Sequence, residues 1–132
     1  MVIDSSAMVA MFLGEPERKV FRNLIVNSES RLISSVNVFE TGVVLEARGG
    51  IALAREFDLF LVRADIQVMS IDAEQTELAR SAWRKFGKGR HKASLNLGDC
   101  FAYALSKFTG EPLLAKGNDF SLTDLEIVQL HS

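Results

Sequence analysis

Short apolar runs alternate along this chain with longer segments whose apolar residues recur every three or four positions. That alternation limits the fold more than any other feature. Residues 2–3, 31–34, 66–71, 112–115 and 127–130 read as strands. Residues 7–13 and 20–26 read as helices separated by Gly14 and Pro16, with Pro16 suited to a first helical turn. Ser35 is placed to cap a helix through Val36, Phe39, Val43, Val44 and Ala47, which Gly49-Gly50 ends. A helix over 51–63 follows directly, so two helices stand back to back without a strand between them. Asp72 caps a helix through Leu78, Ala79 and Trp83. Asn96 caps another, whose apolar face is Leu97, Phe101, Ala104, Leu105 and Phe108. Strands separated by helices predict a parallel sheet covered on both faces.

The 132 residues suffice for one domain, 1–132, with a buried core and no staples. Cys100 is the sole cysteine, which excludes an intrachain disulfide and a thiolate zinc site and suits a reducing cytoplasm. M-V-I-D-S-S lacks a basic segment followed by a long apolar run, so no secretory leader is expected. No stretch approaches the roughly 18–20 apolar residues of a membrane span. The net charge of −2 hides an uneven distribution. From Arg80 to Lys92 the chain carries six Lys or Arg and no acid, leaving nine bases against seventeen acids elsewhere. Arg84, Lys85, Lys88, Arg90 and Lys92 are candidate phosphate contacts, and Trp83 or Phe86 could stack on an unpaired base. The plainer reading is a solvated loop, and for Trp83 itself a place in the core is expected.

Several carboxylates stand where a carboxylate is costly. Asp4 ends the first apolar run and begins a helix, so it is either an N-cap or a ligand beyond a strand's carboxyl end. Glu40 has Val36, Phe39, Val43 and Val44 as helical neighbours, which sets it on or beside the apolar face. A buried ion pair would explain that, but the cost of an unpaired buried carboxylate favours a ligand role. Asp99 follows Asn96 by three residues, the spacing of a reciprocal cap. Asp119 follows the L-L-A run and a Gly117-Asn118 turn; Asp124, in the same loop, reads as a surface residue. Carboxylates about 5 Å apart at an effective dielectric near 20 repel by roughly 3 kcal/mol per pair. A convergent cluster must therefore take up protons or bind a cation. Oxygen ligands without thiol or nearby histidine point to Mg²⁺ or Mn²⁺. No G-x-S-x-G elbow, phosphate-binding lysine loop or G-x-G-x-x-G is present, and His91 and His131 have no metal-ligand spacing.

Four blocks carry a resemblance: M-V-I-D-S-S-A, V-N-V-F-E-T, L-N-L-G-D-C-F-A-Y-A-L-S-K and L-L-A-K-G-N-D-F. In this order and at these separations they resemble the PIN-domain ribonucleases, specifically the VapC toxins of bacterial toxin–antitoxin pairs. The resemblance implies a three-layer α/β/α sandwich with a short parallel sheet. It implies acids gathered at the sheet's carboxyl edge around one or two Mg²⁺ or Mn²⁺ ions, and hydrolysis of RNA phosphodiester bonds. Carried over by position, Asp4, Glu40, Asp99 and Asp119 are the catalytic and metal-binding residues, with Ser6 and Asn118 in support. Many relatives read D-x-D-F in the last block, and Gly117 stands where the first of those acids would be. The resemblance also implies a homodimer, a VapB-type antitoxin, an RNA substrate and a cytoplasmic location.

Two other readings use the same acids. A phosphoacceptor receiver domain also needs strand-end carboxylates and Mg²⁺, with Asp72 as acceptor and Lys116 as its strand-end lysine. Against it, Asp4 is followed by Ser5-Ser6 rather than a second acid, the helices of 35–63 break the alternation, and Glu40 would have no role. A non-catalytic RNA- or protein-binding domain is the other, suggested by Gly117.

Overall fold

The computed structural model describes residues 1–130, so His131 lies outside it. In chain order the elements are β1 (Val2–Ile3), α1 (Ser5–Phe12), α2 (Arg18–Val26), β2 (Leu32–Ser34), α3 (Ser35–Arg63) and β3 (Gln67–Met69). Then come α4 (Ala73–Phe86), α5 (Leu97–Thr109), β4 (Leu113–Leu114) and a 3₁₀ turn at Phe120–Leu122. The strands form a parallel sheet of order β3-β2-β1-β4, so β1 is central and Asp4 leaves its carboxyl end.

Successive residues of a strand face opposite sides of a sheet, and here that alternation makes two cores. Ile3, Ile33 and Leu114 face one side and pack with Met8, Phe21, Ile25, Leu45 and Phe57 of α1, α2 and α3. Val2, Leu32 and Leu113 face the other and pack with Ala79, Ala82, Tyr103 and Leu105 of α4 and α5. Helices cover both faces, which is the expected α/β/α sandwich. No helix among the described residues is long and apolar enough to cross a membrane.

Several local expectations shift. The fifth strand, expected at 127–130, reduces to one parallel bridge between Ile127 and Leu113. Leu113 N–H donates to Glu126 C=O and Val128 N–H donates to Leu113 C=O, which covers the outer edge of β4 without extending the sheet. The strand expected at 66–71 shortens to Gln67–Met69 at the opposite edge. Ser34, not Ser35, occupies the cap position of α3, and Pro16 lies in the turn ahead of Arg18 rather than in the first turn of α2. The back-to-back helices expected over 35–63 are both present, as two arms of α3 broken at Gly50, which adopts the non-helical φ 78°, ψ 179°.

That backbone conformation is open almost only to glycine, and a Cβ at Gly50 would meet no atom within 4 Å. Strain alone therefore opposes a side chain. Gly50→Ala is expected to lower stability by about 1–3 kcal/mol in urea denaturation, with the site's acids in place.

Candidate active site

Four segments carry the candidate acids. Asp4 caps α1: its Oδ2 accepts from Ser6 N–H at 3.0 Å, and its Oδ1 is buried with no partner. Asp99 closes a reciprocal cap at the start of α5, its Oδ2 accepting from Asn96 N–H while its own N–H donates to Asn96 Oδ1. Glu40 lies on α3, half-buried, with its carboxylate against Gly98. A Cβ at Gly98 would overlap both carboxylate oxygens, so glycine there makes room for the acid. Asp119 follows β4 and is exposed at the start of the 3₁₀ turn.

These acids sense one another. Burial pushes Asp4 up to about 7; the charges of Asp99 and Glu40 add to the rise, and the hydrogen bonds from Ser6 oppose it. Burial likewise raises Asp99 to about 6, reinforced by Glu40 and Asp119 and opposed by Asn96. Burial and the Asp99 charge together push the Cys100 thiol up to about 11, leaving it inert beside the site.

Among the described residues no group of three or more His, Cys, Asp and Glu is already arranged to hold a metal ion. The chemistry of the set nevertheless fits a hard divalent cation. All the donors are carboxylate oxygens, one buried oxygen of Asp4 lacks any partner, and burial disfavours ionisation of Asp4 and Asp99, a cost that a bound cation would offset. Mutual repulsion favours splayed carboxylates when no cation joins them.

The candidate supporting residues Ser6 and Asn118 lie on α1 and in the loop after β4. Ser6 accepts at its Oγ from Lys116 N–H at 2.9 Å, tying α1 to the loop after β4. Asn118 is exposed in that loop, and its C=O accepts from Ser121 N–H and Oγ–H. Asn37, absent from the sequence reasoning, is fully buried three residues before Glu40. Its Nδ2 donates to Ser5 Oγ at 2.9 Å and to Gly98 C=O at 3.1 Å, linking the three acid-bearing helices. An asparagine inside the V-N-V run was the available signal, as was the glycine beside Asp99.

Glu40 is in the expected place for a different reason. The buried stripe of α3's first arm is Asn37, Thr41 and Leu45, while Phe39 is 73 % and Val43 52 % exposed. Glu40 sits at the boundary of those stripes. Trp83 is also exposed, not in the core, with the Arg90 guanidinium 4.1 Å above its ring. Arg84, Lys85, Lys88, Arg90 and Lys92 are all exposed on α4 and the following loop. Asp124 pairs with Lys107 and accepts from Tyr103 O–H, so it braces α5. The receiver alternative fails here: Asp72 caps α4 through Gln75 N–H, and Lys116 Nζ pairs with Glu15 and Glu17, so neither joins the acids.

Comparison with known proteins gives the family of the chain. The PIN domain family profile matches residues 1–125. Ribonuclease VapC30 of Mycobacterium tuberculosis is 48% identical over 130 residues, covering 98% of this chain and 99% of that protein. Ribonuclease VapC of Mycolicibacterium smegmatis is 46% identical over 128 residues, covering 97% and 99%. The crystal structure of VapC20 of M. tuberculosis, described as a Sarcin-Ricin loop cleaving toxin, superposes with a TM-score of 0.79 at 18% identity, covering 97% and 98%. A toxin–antitoxin complex from Klebsiella pneumoniae gives 0.71 at 16%, covering 98% and 97%, and shares the fold. The chain therefore belongs to the PIN domain family, and within it to the VapC ribonucleases.

The raised acids set a pH dependence. Between the ordinary carboxylate value of 3.8 and about 7, folded Asp4 keeps a proton that the unfolded chain has released, so stability falls as pH rises through that window. Each unit corresponds to about 1.4 kcal/mol, so in divalent-free buffer Asp4 contributes a loss of roughly 4 kcal/mol across it. Urea midpoints measured from pH 4 to 8 should show the decline in the wild type and a flatter profile in Asp4→Asn.

Proposed function

We propose that this chain is the toxin of a type II toxin–antitoxin pair and hydrolyses RNA phosphodiester bonds with Mg²⁺ or Mn²⁺. The observation carrying this reading is geometric: Asp4 leaves the carboxyl end of β1 with a buried, unpartnered oxygen, Asn37 ties α1 and α3 to the start of α5, and the Glu40 carboxylate lies against Gly98, next to Asp99. Asp4 and Asp99 would hold the cation, with Glu40 and Asp119 beside them. Bound there, a divalent ion supplies an activated water and neutralises charge developing on the phosphate oxygens. Ser6 and Asn37 hold the acid-bearing segments in register, and Gly98 lets Glu40 reach the start of α5. Glu40 or Asp119 orients the attacking water or takes its proton. Gly117 removes one acid common in the family, which favours a site built on Asp119 alone in that loop.

The basic surface supplies substrate affinity. Arg84, Lys85, Lys88, Arg90 and Lys92 attract phosphates toward a hollow that would otherwise repel them. The implied protein partners are a VapB-type antitoxin and a second copy. The cavity of about 800 Å³ between α1, α2 and the second arm of α3 suits an antitoxin segment. It has apolar walls at Phe12, Leu59 and Phe60 and a rim of Arg18, Arg22 and Arg63. The outward stripe of Phe39 and Val43 offers an apolar face to the second copy. The site of action is the cytoplasm, where both RNA and antitoxin are made.

Purified Asp4→Ala and Asp99→Ala are expected to cut single-stranded RNA at least about a hundredfold more slowly than wild type, and EDTA to abolish cutting by the wild type. Unchanged cleavage in the variants ends the metal-nuclease reading. A lack of divalent-dependent stabilisation in the wild type favours a non-catalytic binding domain instead. Charge reversal of Lys88 and Arg90 should weaken RNA binding and reduce the slope of log affinity against log salt by about one per lost phosphate contact.

A further inference from the structure

Beside the acids lies a second cavity, of about 630 Å³, between α4, the loop that follows it and the first turn of α5. Trp83, Arg84, Lys88, Arg90, Leu97 and Phe101 line it, and no acidic side chain does among the described residues. Two large apolar side chains are left open there: Trp83 is 46 % and Leu97 71 % exposed. The walls are ordered. Lys88 N–H donates to Leu95 C=O, Leu95 N–H donates to Phe86 C=O, and Ala93 N–H donates to His91 Nδ1. His91 packs edge-on against Phe86, so the loop presents its cations from a fixed frame.

We propose that this cavity receives one unpaired nucleobase of the RNA strand, stacked on the Trp83–Arg90 pair, and so helps set where the strand is cut. The proposal rests on the ribonuclease reading above. Every base has a flat π-face that an indole or a guanidinium can stack upon; Arg90 covers one face of the Trp83 indole at 4.1 Å, which leaves a base the indole's opposite face or the outer side of the guanidinium. Arg84 and Lys88 stand at the same cavity to meet the flanking phosphates, and the absence of lining acids suits a polyanion. Asn96 joins the two sites: it lines the cavity and exchanges hydrogen bonds with Asp99. Leu97, Cys100 and Phe101 form the cavity face at the start of α5, and Asp99 lies round the other side of the same helix. A helix is roughly 10 Å across, so the held base and the bond at the acids belong to one short stretch of strand.

Trp83 is the sole tryptophan, so its emission reports on the cavity directly. The probe is a mixed-sequence single-stranded RNA of about ten nucleotides, titrated into full-length Asp4→Asn with Mg²⁺ present. Emission should fall saturably, with a midpoint matching the Kd from anisotropy of the same labelled RNA. An abasic ribose-phosphate strand of equal length, or an acidic peptide, should leave it nearly unchanged. In the same background Trp83→Ala should raise the Kd about tenfold and Trp83→Phe far less. RNA that binds without altering the emission overturns the base pocket, as do an unchanged Kd in Trp83→Ala or equal quenching by the abasic strand or the peptide. In each case metal-dependent cleavage by the wild type would still stand. Failure of the RNA to bind, together with failure of the wild type to cut it, overturns the pocket and the ribonuclease reading together.

Discussion

Asp4 is a carboxylate removed from water at the end of the central strand, with one oxygen left unpartnered and other acids close by. Burying a charge this way is costly, and the surroundings offset only part of the cost. Asp4 sits at the N-terminus of α1 and Asp99 in the first turn of α5, where free amides and helix dipoles favour negative charge. Ser6 and Asn96 donate to the two carboxylates. Desolvation and mutual repulsion still prevail, and both acids rise well above the ordinary range. Carboxyls whose ionisation is disfavoured in this way are ones a hard cation would discharge.

The rest of the structure maintains that tension. Asn37 clamps the three acid-bearing helices from inside, Gly98 vacates the space Glu40 occupies, and Ser6 anchors the loop that leads to Asp119. Among the described residues, the basic side chains near the acids are engaged elsewhere or exposed. Lys116 is drawn to Glu15 and Glu17, and the basic residues of 84–92 face solvent. Negative charge is thus concentrated at the site and positive charge on the approach to it.

Much of this was legible along the chain because it depends on neighbours a few residues apart. Asn96 and Asp99 carry their reciprocal cap in their spacing, and Asp72 its cap likewise. Asp4 and Asp119 could be placed at strand ends because the apolar runs before them are short and distinct. Glu40 was found through an apolar periodicity that the fold does not bury: the stripe containing Phe39 and Val43 faces outward. Periodicity shows that a helix has two faces and leaves open which one meets the sheet. The same ambiguity hid Trp83, whose indole is held by Arg90 in a loop, a contact no helical spacing encodes.

The sequence by itself determined the parallel α/β class and the caps of α4 and α5, because strand propensity, capping and chain order are local properties. Tertiary packing decided the remainder. It selected Asn37, Thr41 and Leu45 as the buried stripe of α3, reduced the last expected strand to one bridge, and set Trp83 in a cationic cavity beside Asp99's helix turn. Burial is fixed by what lies opposite a side chain, and those partners come from segments distant in the chain.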